Sequence, residues 1–118
     1  MTSPIKLSIV FLNFNKLTET QETAIHLQAL CATRHDIEII AVDNGSGDGT
    51  AEYLQAQPGI ISILLPDNSG IAAYSAGFNK AQGDYLLILD DDSCPQTLSG
   101  IDQALLTLDQ RDDIGVIA

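Results

Sequence analysis

The sequence has few positive charges. Its 118 residues include five Lys and Arg against 16 Asp and Glu, which gives a net charge of −11 at pH 7. Nucleic-acid binding needs clustered cations that neutralise phosphates, and attraction to an anionic membrane surface needs the same sign of charge. The composition therefore predicts no nucleic acid partner and disfavours an anionic membrane surface.

Cysteines and long apolar runs are also scarce. The two cysteines, Cys31 and Cys94, form neither a CxxC pair nor a zinc spacing with His26 or His35. We therefore expect two reduced thiols in a cytoplasmic protein. No apolar run approaches the roughly 20 residues of a membrane span. The first residues, MTSPIK, lack the charged and apolar regions of a signal peptide.

Short apolar runs alternate with helical patterns along the chain. Nearly continuous apolar runs are typical of strands buried on both faces, and they occur at 5–12, 37–42, 60–65, 85–89 and 114–117. Strand–helix alternation predicts an α/β fold of three layers, in which helices cover a mostly parallel sheet. The last run starts another strand that no helix follows, so we expect the sequence to belong to a longer protein.

Helical periodicity predicts which side chains of the helices face the core. These are Leu17, Ala24, Leu27 and Cys31 in the first helix, Ile71, Ser75 and Phe78 in the third, and Leu98, Ile101, Leu105 and Leu108 in the fourth. The predicted N-terminal caps are Thr18 with Gln21 as a capping box, Asp48, Ser69, and Ser93 followed by Pro95.

Polar residues follow each of the first four predicted strands. The carboxyl ends of parallel strands lie at one edge of a sheet, which is where open α/β sheets bind ligands. We therefore expect the segments 13–16, 43–50, 66–70 and 90–93 to form a single acidic cleft. The glycines of 45–50 fit neither a dinucleotide fingerprint, a P-loop nor a calcium loop, and predict a tight turn before a helix.

Three consecutive carboxylates, Asp90, Asp91 and Asp92, follow the fourth predicted strand. They would repel one another unless a cation neutralised them, and hard oxygen ligands suit Mg²⁺ or Mn²⁺. A solvated turn in which Asp92 or Ser93 caps a helix is the alternative interpretation. Asp43 could accept hydrogen bonds from a ribose hydroxyl or a base N–H.

Cations near this edge are few. Lys16 and Lys80 are the only nearby candidates in the sequence. A nucleotide diphosphate would therefore bind only if a metal bridged its phosphates to Asp91 or Asp92. This reasoning predicts metal-dependent binding.

Four segments together resemble the nucleotide-binding half of a family 2 glycosyltransferase with the Rossmann-like GT-A fold. They are LSIVFLNFNK at 7–16, EIIAVDNGSGDGT at 38–50, DNSGIAA at 67–73 and GDYLLILDDDSCP at 83–95. The resemblance implies an inverting transferase with Mn²⁺ or Mg²⁺ as cofactor. Its donor would be a nucleotide-diphosphate sugar, most commonly a UDP- or dTDP-sugar, and its acceptor a saccharide or a lipid-linked molecule.

The resemblance also implies roles for particular residues. Asn13, Phe14 and Asn15 would hold the nucleoside, with Phe14 either packing on the base or anchoring the loop. Asp43 would contact the base or ribose, and Asn68 and Gly70 would form a turn near the donor. Within the DxD motif Asp92, with Asp91, would bind the metal, and Asp90 and Asp91 would face ribose and diphosphate.

The sequence also departs from the family pattern. Ala73-Tyr74-Ser75 stands where many relatives carry an Arg-Asn or Asn-Asn pair. The family's catalytic base lies in the acceptor-binding half, so we expect it beyond residue 118 and no catalytic residue within 1–118. We interpret Asp102, Asp109, Asp112 and Asp113 as solvated surface charges. Full-length relatives are often peripheral to membranes.

Two alternative classes also place acidic residues at strand ends. In a haloacid dehalogenase-like phosphatase, Asp90 would be the nucleophile, but that family places its Asp-x-Asp strand early in the chain. A receiver-like Mg²⁺-binding module carries an acid pair after the first strand, where this chain has Asn13 and Asn15. A fold that binds nothing is the third possibility.

Overall fold

The computed structural model describes residues 5–90 and 98–110, which form four strands and four α-helices. In chain order the elements are β1 (Leu7–Asn13), α1 (Leu17–Leu30), β2 (Ile37–Asp43), α2 (Thr50–Gln55), β3 (Ile60–Leu64), a 3₁₀ turn (Gly70–Ala73), α3 (Tyr74–Lys80), β4 (Tyr85–Asp90) and α4 (Leu98–Gln110). The first four predicted strands are confirmed within two residues at each end. The strand predicted at 114–117 lies outside the described residues.

The four strands form a parallel sheet in the order β3-β2-β1-β4. β2 and β3 are added on one side of β1, and β4 is added on the other, so the order reverses at β1. Such a reversal opens a crevice at the carboxyl ends of the strands. The register places Asn13 beside Asp43 and Leu12 beside Asp90 at that edge.

Helices cover both faces of the sheet and confirm the three-layer prediction. One face packs Ile9 and Phe11 of β1 against Leu27 of α1, Leu54 of α2 and Ile101 of α4. The other face packs a smaller cluster, made of Val10, Ile40, Val42 and Ala73, under the start of α3. The core pattern predicted for α1 is correct for Ala24, Leu27 and Cys31, and that for α4 is correct for Ile101 and Leu105.

The core face of α3 differs from the prediction. Ser75 is exposed and Phe78 retains 37% exposure, whereas Gly77 is buried. A Cβ on Gly77 would lie 2.5 Å from Cγ1 of Val10, so the missing side chain lets the helix approach the sheet closely. Apolar periodicity could not find this face because its contacts are made by small residues. The side chain of Ile71 lies outside the described part.

Two of the predicted caps are wrong. α1 begins at Leu17 with Lys16 at the N-cap, so Thr18 and Gln21 form no capping box. Ser69 does not cap α3, because the 3₁₀ turn from Gly70 runs directly into it. Asp48 does bind the first residue of α2, although Gly49 occupies the N-cap. The cap predicted at Ser93 and Pro95 lies outside the described residues.

An ionic cluster joins α4 to the turn that precedes β2. Nε of Arg34 lies 2.8 Å from Oδ1 of Asp36, and its Nη1 lies 3.2 Å from both carboxylate oxygens of Asp102. Asp102 is therefore exposed at the surface, as predicted, but it is also ion-paired with Arg34. The side chain of Asp109 and the residues Asp112 and Asp113 lie outside the described part.

Two further findings concern the cysteines and the length of the helices. Cys31 is a buried free thiol, and burial raises its pKa, while Cys94 lies outside the described residues. Among the helices of the described segments, none has the length and apolar content needed to cross a bilayer.

Candidate nucleotide-binding site

Three loops meet where β1, β2 and β3 end, as the sequence predicts. They are the first loop (13–16), the second loop (43–50) and the third loop (66–70), and we call the edge of the sheet that they form the rim. Asn13 pairs with Asp43, and Leu12 pairs with Asp90, on adjacent strands. Because neighbouring strands lie about 4.8 Å apart, the backbones of Asp43 and Asp90 lie about 10 Å apart across β1. The edge therefore brings the predicted nucleoside residues close to the start of the Asp90–Asp92 run. The fourth loop, with Asp91 and Asp92, lies outside the described residues.

Asn13 ends β1, and its side chain is engaged inside the protein. Nδ2 donates to the carbonyls of Phe11 at 3.2 Å and Val42 at 3.3 Å. Oδ1 accepts the hydroxyl of Thr20, in α1, at 2.9 Å. The buried amide therefore ties the end of β1 to β2 and α1.

Asn15 joins the first loop to the second. Its backbone N–H donates to Oγ of Ser46 at 2.9 Å, and its Oδ1 accepts the N–H of Gly47 at 2.7 Å. Its φ of 49° is left-handed, a conformation that asparagine adopts more readily than most residues. The preceding residue, Phe14, retains 38% exposure and so leaves an aromatic surface available on this rim.

Asp43 is the most unusual side chain of the rim. It is 1% exposed, and its Oδ2 accepts the N–H of Ser46 at 3.0 Å. Its Oδ1 is buried without a hydrogen-bond partner, a property shared within the described part only by the hydroxyl of Tyr53. A buried carboxylate oxygen without a donor is costly, so this atom is suited to accept a hydrogen bond from a ligand.

Asn44 joins the second loop to the third, although no sequence pattern marks it as a site residue. Its Nδ2 donates to Oδ1 of Asn68 at 2.9 Å and to the carbonyl of Gly70 at 3.3 Å. Its Oδ1 accepts the N–H of Ser69 at 2.7 Å. The same Asn68 oxygen accepts the N–H of Gly70, also at 2.7 Å. The available signal was its position directly after Asp43.

The backbone conformation and close packing of Gly45 require a glycine at this position of the second loop. Its φ is +83°, and a Cβ there would lie 2.7 Å from the carbonyl carbon of Asp67 and 2.9 Å from the N of Asn68. The second and third loops therefore touch through their backbones. The tight turn predicted for this segment is confirmed.

Asp48 closes the second loop and binds two helices. Its Oδ2 accepts the N–H of Leu17 at 3.0 Å, and its Oδ1 accepts the N–H and hydroxyl of Thr50 at 3.2 and 2.6 Å. The hydroxyl of Thr50, followed by the backbone N–H groups of Thr50 and Leu17, lowers the pKa of this carboxyl. Leu17 begins α1 and Thr50 begins α2, so one carboxylate serves both helix N-termini.

The two predicted cations lie at opposite edges of the sheet. Lys16 is exposed beside the rim, at the N-cap of α1. Lys80 ends α3, just before β4, whose first residue Tyr85 donates its N–H to the carbonyl of Lys6 at 3.0 Å. Lys6 precedes β1, so Lys80 is not near the rim, contrary to the prediction. No group of three His, Cys, Asp or Glu residues within 5–90 and 98–110 could hold a metal ion.

Comparison with known proteins identifies the family. Residues 8–116 match the family described as Glycosyl transferase family 2. The chain therefore belongs to glycosyl transferase family 2, as the resemblance implied. This membership favours the transferase prediction over the phosphatase and receiver alternatives.

Curated relatives include bacterial transferases of one kind. The chain is 34% identical over 93 residues to an undecaprenyl-phosphate 4-deoxy-4-formamido-L-arabinose transferase of Pseudomonas fluorescens Pf0-1, covering 73% of this chain and 27% of that protein. It is 37% identical over 98 residues to the protein of the same name from Salmonella paratyphi A, covering 76% and 30%. The chain thus spans about three-tenths of the length of these relatives.

Solved structures with the same architecture are GT-A glycosyltransferases. Mannosyltransferase PcManGT from Pyrobaculum calidifontis, solved with GDP-Man and Mn²⁺, superposes with a TM-score of 0.75 at 18% identity, covering 91% of this chain and 34% of that one. S. aureus TarS 1-349, solved with UDP-GlcNAc, superposes with a TM-score of 0.74 at 20% identity, covering 97% and 37%. At these identities the likeness establishes the GT-A fold.

Proposed function

We propose that residues 1–118 form the donor-binding part of a glycosyltransferase that transfers a sugar from a nucleotide-diphosphate sugar. The donor would be a UDP- or dTDP-sugar, and transfer would invert the anomeric carbon. Donor binding and transfer would depend on Mn²⁺ or Mg²⁺. UDP-GlcNAc in TarS and GDP-Man in PcManGT support a nucleotide-sugar donor, since both proteins share this fold.

The unpartnered Oδ1 of Asp43 is the observation that carries this proposal. A uracil or thymine N–H, or a ribose hydroxyl, would supply the donor that the protein does not. The Ser46 N–H already holds the other carboxylate oxygen, so the group is fixed before the ligand arrives. Binding would then cost little ordering of this side chain.

The remaining rim residues would either contact the nucleotide or hold the loops in shape. The half-exposed ring of Phe14 would pack on the base. Asn13 and Asn15 would act mainly by shaping the loop, because the structure engages their side-chain oxygens with Thr20 and Gly47. The turn of Asn68 and Gly70 would border the donor, held in place by Asn44.

The diphosphate would lie towards Asp90, Asp91 and Asp92. Asp90 ends β4 at the edge where the strand order reverses, and its run of carboxylates offers the hard oxygen ligands that Mn²⁺ or Mg²⁺ prefers. Asp92, with Asp91, would hold the cation, and Asp90 and Asp91 would face ribose and diphosphate. When bound, the cation would neutralise the departing diphosphate. The complex of PcManGT with Mn²⁺ supports this requirement.

The acceptor-binding site and the catalytic base would come from sequence beyond residue 118. For a hydroxyl acceptor, the base would take the proton of the attacking oxygen as that oxygen bonds to the anomeric carbon and the donor diphosphate leaves. A saccharide or a lipid-linked acceptor fits the family, and the undecaprenyl-phosphate transferases among the relatives favour the lipid. The longer protein would then work at the cytoplasmic face of a membrane. The 118-residue chain would bind donor weakly and transfer sugar poorly.

Calorimetric titration of the 118-residue chain tests the proposal. UDP, dTDP and GDP would each be titrated with Mn²⁺ and again with EDTA, on the wild type and on Asp92→Ala and Asp43→Asn. We expect uridine or thymidine diphosphate to bind only with metal, and both substitutions to abolish or strongly weaken binding. Asp84→Asn is the matched control, because it removes one exposed carboxylate just before β4.

Three results would contradict the proposal. They are the absence of binding by any nucleotide, binding that survives EDTA, and equal losses in Asp43→Asn and Asp84→Asn. If no nucleotide binds, the same titration of a longer protein containing residues 1–118 would distinguish two explanations. Binding by the longer protein would show that later sequence completes the pocket, and no binding would show that the fold lacks this chemistry.

A further inference from the structure

We infer that Asn44 is a positioning residue, which sets the place of the Asn68–Gly70 turn relative to Asp43. This inference rests on the proposed nucleotide site and adds a residue to it. Asn44 is 3% exposed, so it is held inside the rim and not at the surface where a nucleotide would lie. Its effect on a ligand would therefore pass through the residues that it binds.

The backbone of Asn44 is fixed from the side of the sheet. Its N–H donates to the carbonyl of Asn13 at 2.8 Å, which continues the pairing of β1 and β2 by one residue. The Cα of Asn44 therefore moves with the central strand. Asp43, the adjacent residue, shares this anchor.

The side chain of Asn44 links the third loop to this fixed backbone. It makes three hydrogen bonds, to Asn68, Ser69 and Gly70, at 2.7–3.3 Å. Two of these bonds use the side-chain N–H₂ as donor to carbonyl oxygens, and the third uses the side-chain oxygen as acceptor. Only an amide of this length supplies a hydrogen-bond donor and an acceptor at once, and Asn44 uses both.

Close packing against Gly45 prevents the third loop from moving towards the second loop. The backbone of Gly45 touches Asp67 and Asn68 so closely that a Cβ would overlap them. The loop can therefore not move towards β2 to compensate for a lost hydrogen bond. It can only move away, which would widen the site between Asp43 and Gly70.

Asn44→Asp is the sharpest test because it keeps the shape of the side chain. The acceptor for Ser69 remains, but the two donor bonds become contacts between oxygens. We expect UDP, titrated with Mn²⁺ into the 118-residue chain, to bind about tenfold more weakly, which corresponds to the loss of about one hydrogen bond. Asn79→Asp is the matched control, because Asn79 is exposed on α3 and the charge change is identical.

A second control separates positioning from loss of stability. Leu27→Ala removes a fully buried side chain of α1 and should lower the melting temperature without touching the rim. At a temperature where all variants are folded, we expect Leu27→Ala to bind UDP as the wild type does. If Leu27→Ala weakens UDP binding as much as Asn44→Asp, Asn44 has only a structural role and the inference is wrong.

A double-mutant cycle with Asn68→Ala tests the route of the effect. If Asn44 acts through the turn, the double variant should bind UDP no more weakly than the weaker single variant. Additive losses would show that the two residues act independently and would overturn the inference. If wild type binds UDP but Asn44→Asp binds equally well, the inference fails while the proposed function stands. If wild type binds no nucleotide, both fail.

Discussion

The carboxylate of Asp48 accepts the backbone N–H of Leu17 at 3.0 Å, so a residue of the second loop caps the first helix. The other oxygen of the same carboxylate accepts the N–H of Thr50, at the start of α2. Helix N-termini carry partial positive charge, so one anion here stabilises two of them. The relative position of α1 and α2, and of the loops before them, therefore depends on one side chain.

Replacing Asp48 by alanine should lower stability. It removes the acceptor for two backbone N–H groups and for the hydroxyl of Thr50, and losing a helix cap costs about 1–2 kcal/mol. Urea unfolding at pH 7 would measure the loss. Asp84→Ala, which removes an exposed carboxylate away from any helix start, should change stability by less than about 0.5 kcal/mol.

The contribution of Asp48 should also depend on pH. The pKa of its carboxyl is lowered in the folded protein, so the unfolded chain binds the proton more tightly. The stabilisation is complete well above the unfolded pKa of about 3.9 and is lost as pH falls through the lower folded pKa. The difference in unfolding free energy between wild type and Asp48→Ala should shrink from pH 6 to pH 3. A constant difference would contradict the assigned hydrogen bonds.

Gly45→Ala should destabilise the rim, whereas Gly47→Ala should not. Gly45 has a φ of +83°, and a Cβ would overlap the backbone of Asp67. A left-handed non-glycine residue alone costs about 1–2 kcal/mol, and the overlap adds to it. Gly47 lies in the same loop with ordinary φ and nothing within 4 Å of a Cβ. Melting temperatures of the two variants should therefore differ clearly, and equal values would refute the loop contact.

Replacing two helical glycines by alanine should change the free energy of unfolding in opposite directions. Alanine is favoured over glycine inside a helix by about 0.5–1 kcal/mol. At Gly100 in α4 the space around a Cβ is open, so Gly100→Ala should be stabilising. At Gly77 the Cβ would lie 2.5 Å from a methyl of Val10, so Gly77→Ala should be destabilising by about 1–3 kcal/mol. Urea unfolding gives both signs, and stabilisation at Gly77 would show that α3 lies farther from the sheet.

Arg34→Gln should weaken the attachment of α4 in a salt-dependent way. Arg34 bridges Asp36 and Asp102, and it lowers the pKa of the Asp36 carboxyl mainly through their hydrogen bond. Because the pairs are partly exposed, we expect a loss of about 0.5–1 kcal/mol at low salt. Unfolding in 1 M NaCl should reduce the difference between wild type and variant. A difference that salt leaves unchanged would assign the effect to packing of the Arg34 stem.

The strands and most of the core were predictable because their signals are local. Continuous apolar runs mark strands buried on two faces, and the runs before Asn13, Asp43 and Asp90 ended within one residue of the observed strand ends. Since parallel strands end at one edge, the meeting of their loops followed from the same signal. The family resemblance, on four short segments, agreed with this geometry.

Three of the positions that sequence patterns did not find share a different cause, which is contact between segments distant in sequence. Asp48 caps α1 from across the rim, whereas the local capping pattern indicates Thr18. Gly77 faces Val10 because the helix lies against the sheet, and no periodicity of apolar residues marks such a position. Asn44 binds a turn more than twenty residues away. Sequence patterns within one element contain no information about these partners.

The central place of β1 also sets an order of assembly. Leu7 pairs with Ile37 on one side and with Tyr85 on the other. During synthesis the chain emerges from its N-terminus, so β2 and β3 can join β1 while β4 is still unmade. The edge with Asp43 and Asn44 can thus take shape first, and the backbone of Asp90 joins it only when β4 pairs with β1. The residues proposed for the nucleoside therefore come together earlier in a nascent chain than those proposed for the diphosphate.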